Sequence, residues 1–93
     1  MACQKTRKEV ADVVVRAIRE IEKNENITEE TRFWDDLGVD QETRRGYFRP
    51  IRKQLDDNDC VVSGLAAGDL EKCVAVKDVV DKFSKSLRPR GGR

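Results

Sequence analysis

Five cations stand close together in the middle of the chain: Arg44, Arg45, Arg49, Arg52 and Lys53. Between residues 41 and 55 they meet a single anion, Glu42, which leaves that segment at net +4. Guanidinium groups present planar pairs of donors that suit carboxylate and phosphate oxygens. The chemistry written into this stretch is anion recognition. Elsewhere the reactive side chains do not gather. The chain has no histidine, the commonest general base and metal ligand. Its carboxylates are scattered along polar faces, and no nucleophile has a base beside it. Cys3, Cys60 and Cys73 form no CxxC pair. Their odd number reads as reduced thiols of a cytoplasmic protein, with no disulfide frame and no zinc site. These residues predict a protein that is not an enzyme and holds no metal.

The elements that would position the cations follow from the apolar pattern. With 93 residues the chain fits one small domain. Charged residues make up 40% of it, yet the apolar ones are clustered, which argues against disorder of the whole chain. Thr6-Arg7-Lys8-Glu9 reads as a capping box. Behind it Val10, Val13, Val14, Ala17, Ile18 and Ile21 recur every three or four residues, which predicts a helix from Arg7 to about Asn24. A long connection follows, tied down by Ile27, Phe33, Trp34, Leu37 and Val39, with Trp34 read as a core aromatic and Gly38 as a turn.

Asp40 is placed to cap a second helix. Tyr47, Phe48, Ile51 and Leu55 then share one face, and Arg45, Arg49, Arg52 and Lys53 another. Pro50 cannot donate to the carbonyl of Gly46, so a kink or break is expected between them, with the helix restarting at Pro50. DDNDC, residues 56–60, reads as a turn. Ser63 or Asp69 would cap a short third helix ending near Cys73, itself read as a core residue. Val76, Val79, Val80, Phe83 and Leu87 stripe a final helix. The expected fold is all-α: three main helices plus one short one, with a long structured loop after the first. Residues 1–6 and the basic RPRGGR, 88–93, are expected to be flexible ends around a domain at 7–87. No apolar run approaches the roughly 20 residues of a membrane span, and no secretory signal opens the chain.

ITEETRFWDDLGVD, residues 27–40, and LEKCVAVKDVVDKF, residues 70–83, in this order resemble the acyl carrier protein family over residues 7–87. The resemblance implies that family's helical bundle. It also implies a site. In the family the aspartate heading the second helix is followed by the serine that carries phosphopantetheine, and then usually by leucine. Asp40 matches the aspartate, but Gln41 stands where the serine belongs and Glu42 where the leucine belongs. An amide cannot form the phosphodiester, so no cofactor is expected. The family's second helix is typically acidic, whereas this one is basic, so a basic docking patch would repel it.

These readings converge on a non-catalytic interaction module of carrier-protein type without its prosthetic group. Its expected partner is an acidic protein surface, bound by Arg44, Arg45, Arg49, Arg52 and Lys53. Two alternatives stay open. One is a genuine acyl or peptidyl carrier with an altered attachment site. The other is weak binding of nucleic acid or anionic lipid by the second helix and the tail. A pI near 7.7 and few aromatics weigh against the latter.

Overall fold

The structure, a computed structural model, describes residues 3–90. Helix α1 spans Arg7–Glu22. The Glu9 N–H donates to Thr6 Oγ1 at 3.2 Å, and the Thr6 N–H donates to Glu9 Oε1 at 2.8 Å. Two of the free amides at the helix start are thereby satisfied. Val10, Ala11, Val14, Ala17 and Ile18 form the buried face. The helix stops two residues before the expected end, because Lys23 turns left-handed at φ 55° and its N–H caps the Arg19 carbonyl. Ile21 is left exposed.

The connection after α1 contains a short helix of its own, α2, Phe33–Leu37. The Arg32 N–H donates to Asp36 Oδ2 at 2.8 Å, which fixes its start. Gly38, at φ 66°, ends it with its N–H turned back to the Phe33 and Trp34 carbonyls. Ile27, Phe33 and Val39 are buried as expected, but Trp34 is 66% exposed. A loop could send both aromatics inward. On a helix, neighbouring side chains diverge by about 100°, so burying Phe33 turns Trp34 out.

The second helix is two helices. Asp40 Oδ1 accepts from the Thr43 N–H at 2.9 Å and starts α3, Gln41–Arg45. The Gly46 and Tyr47 amides then bond only three residues back, to Thr43 and Arg44, at 3.0 and 3.1 Å. A Cβ on Gly46 would lie 3.2 Å from the Thr43 carbonyl oxygen, so this tight turn favours glycine. Helix α4, Phe48–Leu55, restarts two residues earlier than expected. Pro50 falls in its first turn, where an amide needs no intrahelical partner.

Helix α4 runs antiparallel to α1. At one end Tyr47 Oη donates to Glu22 Oε2 at 2.5 Å; at the other, the turn after α4 meets Lys5, which pairs with Asp57. That turn is held by Asp57 Oδ1, which accepts from the Asp59 and Cys60 amides at 2.8 Å each. It returns the chain to the start of α1, and there Cys60 is disulfide-bonded to Cys3, with Cα atoms 4.9 Å apart. The expectation of three reduced thiols is thus corrected. Two cysteines 57 residues apart carry no pairing signal in the sequence; the antiparallel helices bring them together.

The all-α expectation is corrected as well. Strand β1, Cys60–Val62, pairs antiparallel with β2, Leu87–Pro89. The fold is mostly helical with this small two-stranded sheet. Leu87 therefore leaves the last helix, and Arg88 and Pro89 are strand residues. Arg90 continues the order: its N–H donates to the Asp59 carbonyl at 2.9 Å and its Nε to that of Asp57 at 2.5 Å. The rest of the expected tail, 91–93, and residues 1–2 lie outside the described residues.

A 3-10 helix, Ala67–Lys72, follows β1. Asp69 serves it from the third position, accepting from the Ala66 N–H at 2.9 Å. Helix α5, Val76–Ser86, buries Val76, Val79, Val80 and Phe83. Asp78 Oδ2 accepts from the Val74 and Ala75 amides at 3.0 Å each and caps it. Helix α1 packs against both α4 and α5. Phe48 stacks on Phe83 at 5.6 Å between ring centres, and Phe33 meets Tyr47 at 5.7 Å. Among the described residues no helix is long and apolar enough to cross a membrane.

Candidate functional site

Helix α4 is built from two kinds of residue. Phe48, Ile51 and Leu55 are buried, while Arg49, Arg52, Lys53 and Gln54 are exposed. At about 100° per residue, Arg49, Arg52 and Lys53 fall within one sector roughly 100° wide. The helix contains no acid. Among the described residues none of these three cations has a carboxylate within ion-pair distance. Arg52 lies over the Phe48 ring, 5.6 Å from its centre, so its stem and planar head are steadied against the core edge. The result is an outward cationic strip on a helix whose other face is anchored.

The two remaining cations of the expected array stand apart. Arg45, on α3, is exposed but faces Glu71 of the 3-10 helix at 3.2 Å. Arg44 is 9% exposed and does not belong to the surface. It donates from Nη1 to the Cys73 carbonyl at 2.9 Å and lies over the Phe33 ring at 5.8 Å, while its Nε has no partner. It ties α3 to the segment before α5. The sequence held a signal for this. Arg44 comes four residues before Phe48 and so continues the apolar stripe of Phe48, Ile51 and Leu55.

Gln41 is the first residue of α3 and is exposed, directly after the capping Asp40. The Thr43 amide, first, and the nearby Arg44, to a lesser degree, hold the Asp40 carboxyl below the usual carboxylate range. Glu42 is exposed beside it. Neither Gln41 nor Glu42 offers an alcohol.

Tyr47 and Cys73 are turned inward. Burial, reinforced by its bond to Glu22, pushes the Tyr47 phenol well above its ordinary value, so it remains a donor. Burial pushes the Cys73 thiol up to about 11, which leaves it protonated and a poor nucleophile. Arg88 gives Nη1 to the Lys85 and Leu87 carbonyls at 2.8 and 3.0 Å. The described arginines of the C-terminal segment are therefore bound to backbone, as Arg90 is to Asp57. Two large apolar residues are exposed near one another in the chain's folding, Trp34 and Val74, on segments joined by the Phe33 N–H to Val74 carbonyl bond at 2.9 Å. No family model matches the chain, and no curated protein or solved structure matches it either.

Proposed function

We propose that the chain is a non-catalytic docking module of carrier-protein type, without phosphopantetheine, which presents α4 to a carboxylate-rich surface on a protein partner. One observation carries the reading: Arg49, Arg52 and Lys53 share an exposed sector of a helix that has no acid of its own. Arg44 is left out of the docking set, since its burial serves the bundle. Arg45, on α3, is left out as well, since Glu71 already engages it. The carrier-type part of the reading is supported by the resemblance of residues 27–40 and 70–83, and by Gln41 following the capping Asp40 at the start of a helix. An amide there removes the covalent arm and leaves recognition as the module's work.

The test uses the full chain and the triple variant Arg49→Glu, Arg52→Glu, Lys53→Glu. Fluorescence anisotropy would follow binding of a labelled polyglutamate peptide, a DNA duplex and phosphatidylserine vesicles across a salt series. The chain should bind polyglutamate with an affinity that falls as salt rises. The triple variant should lose at least about tenfold, roughly 1.4 kcal/mol, with its far-UV circular dichroism unchanged. Equal binding by the variant would refute the docking strip. Preference for duplex or vesicles over polyglutamate would reassign the partner. A mass gain after incubation with coenzyme A and a phosphopantetheinyl transferase would overturn the claim that no arm is carried.

A further inference from the structure

The pole where α1 begins holds a feature that the docking strip does not use. Cys3 and Cys60 are bonded there, and Lys5 pairs with Asp57 beside them. The two sulfurs sit on very different supports. Cys60 is buried, its N–H bonded to Asp57 Oδ1 at 2.8 Å, its carbonyl accepting from the Asp57 N–H at 2.9 Å, and its backbone in register with Pro89 of β2. Cys3 is half-exposed. Among the described residues, 3–5 make no backbone–backbone hydrogen bond to the rest of the chain. The segment is held by one disulfide and one exposed ion pair, and an exposed ion pair holds little by itself. The capping box of Thr6 and Glu9 is local to α1 and does not depend on either link. Cys3 and Cys60 also lie outside the main apolar core cluster.

We propose that Cys3–Cys60 is a thiol–disulfide exchange site, at which a dithiol reductant opens a clasp and frees the N-terminal segment while the helical bundle stays folded. The less buried cysteine of the pair is the one on the weakly held segment. A thiolate of the reductant attacks Cys3 Sγ; the S–S bond breaks, its electron pair leaves on Cys60 Sγ, and that sulfur takes up a proton. Cys3 is then in a mixed disulfide with the reductant. The reductant's second thiolate attacks its own sulfur in that bond, Cys3 leaves and is protonated, and the reductant departs as a disulfide. Two electrons and two protons pass to the protein in all. An oxidised dithiol closes the clasp by the reverse steps. Cys73 does not enter the exchange, because it is buried and protonated. The site is independent of the α4 reading, so either can fail alone.

The experiment takes the full chain purified without reductant. Native alkylation with iodoacetamide, read by intact mass, should add nothing before dithiothreitol and at least one group, on Cys3, after it, with Cys73 reacting only on denaturation. Tryptic cleavage after Lys5 should accelerate at least tenfold on reduction, with far-UV circular dichroism unchanged. Cys3→Ser should be cleaved quickly without reductant, and Cys73→Ala should behave as the parent chain in both states. Two reactive thiols before reduction, equal cleavage rates in the two states, or loss of helicity on reduction or in Cys3→Ser would each overturn the clasp.

Discussion

Arg44 and Arg49 are the same residue type five positions apart, and their surroundings make them opposites. Arg44 is enclosed by Phe33 and the Cys73 carbonyl, and Arg49 faces solvent. Arg44→Glu would place a carboxylate against a carbonyl oxygen in a site that excludes water, and should cost about 3–5 kcal/mol. Arg49→Glu should stay within about 0.5 kcal/mol of the parent. Urea unfolding of the two variants checks both values. Asp57 gives a second residue-scale expectation. Its bond to Lys5, first, and the amides of Asp59 and Cys60 hold its carboxyl at about 2 instead of the ordinary 3.8. A carboxyl with a depressed folded value stabilises the fold above its unfolded value and loses that contribution as pH falls toward the folded one. Asp57→Asn should therefore flatten the decline in stability between pH 3.8 and about 2, measured as the urea midpoint at a series of pH values. The site itself was legible where composition and phase agreed. Arg49, Arg52 and Lys53 form an anion-free run opposite an apolar stripe. Charge alone groups Arg44 with these three, whereas its phase puts it on the apolar stripe.

At the scale of elements, the break between α3 and α4 shows how a proline acts through its position. Pro50 lies in the first turn of α4, so it costs no hydrogen bond there. Pro50→Ala should shift stability by less than about 1 kcal/mol, by denaturant titration, because the substitution changes mainly the entropy of the unfolded chain. A large gain would mean instead that α3 and α4 had fused into one helix. The other helices were readable for physical reasons that can be named. A capping box and a stripe every third or fourth residue announce α1, and the valines with Phe83 announce α5. Helix α2 is not readable, since five residues hold less than two turns of pattern, and without a helix nothing turns Trp34 outward. The β1–β2 ladder was hidden for a related reason. Strands of three residues show no alternation, and Pro89 in one of them speaks against a strand except at an edge, which in a two-stranded sheet is every position.

For the molecule as a whole, the disulfide encloses α1 to α4 in one covalent loop. By the chain-entropy account, a bridge spanning that many residues stabilises by up to about 4 kcal/mol. A domain of this size has roughly 5–14 kcal/mol in total. Cys3→Ser should thus lower the melting temperature substantially, read by calorimetry, and still leave a cooperative transition. The bridge persists in an oxidising compartment; in a reducing cytosol the same pair would stand open. The pole that carries it has a topological consequence as well. Cys3 is bonded into the turn at residues 57–60, and Arg90 is bonded to that same turn. Residues 3 and 90, the first and last described, are therefore neighbours. Inserted between two residues of a host protein's surface loop, this domain would add a side-car without prying the host apart, and cargo fused to both ends would be carried side by side.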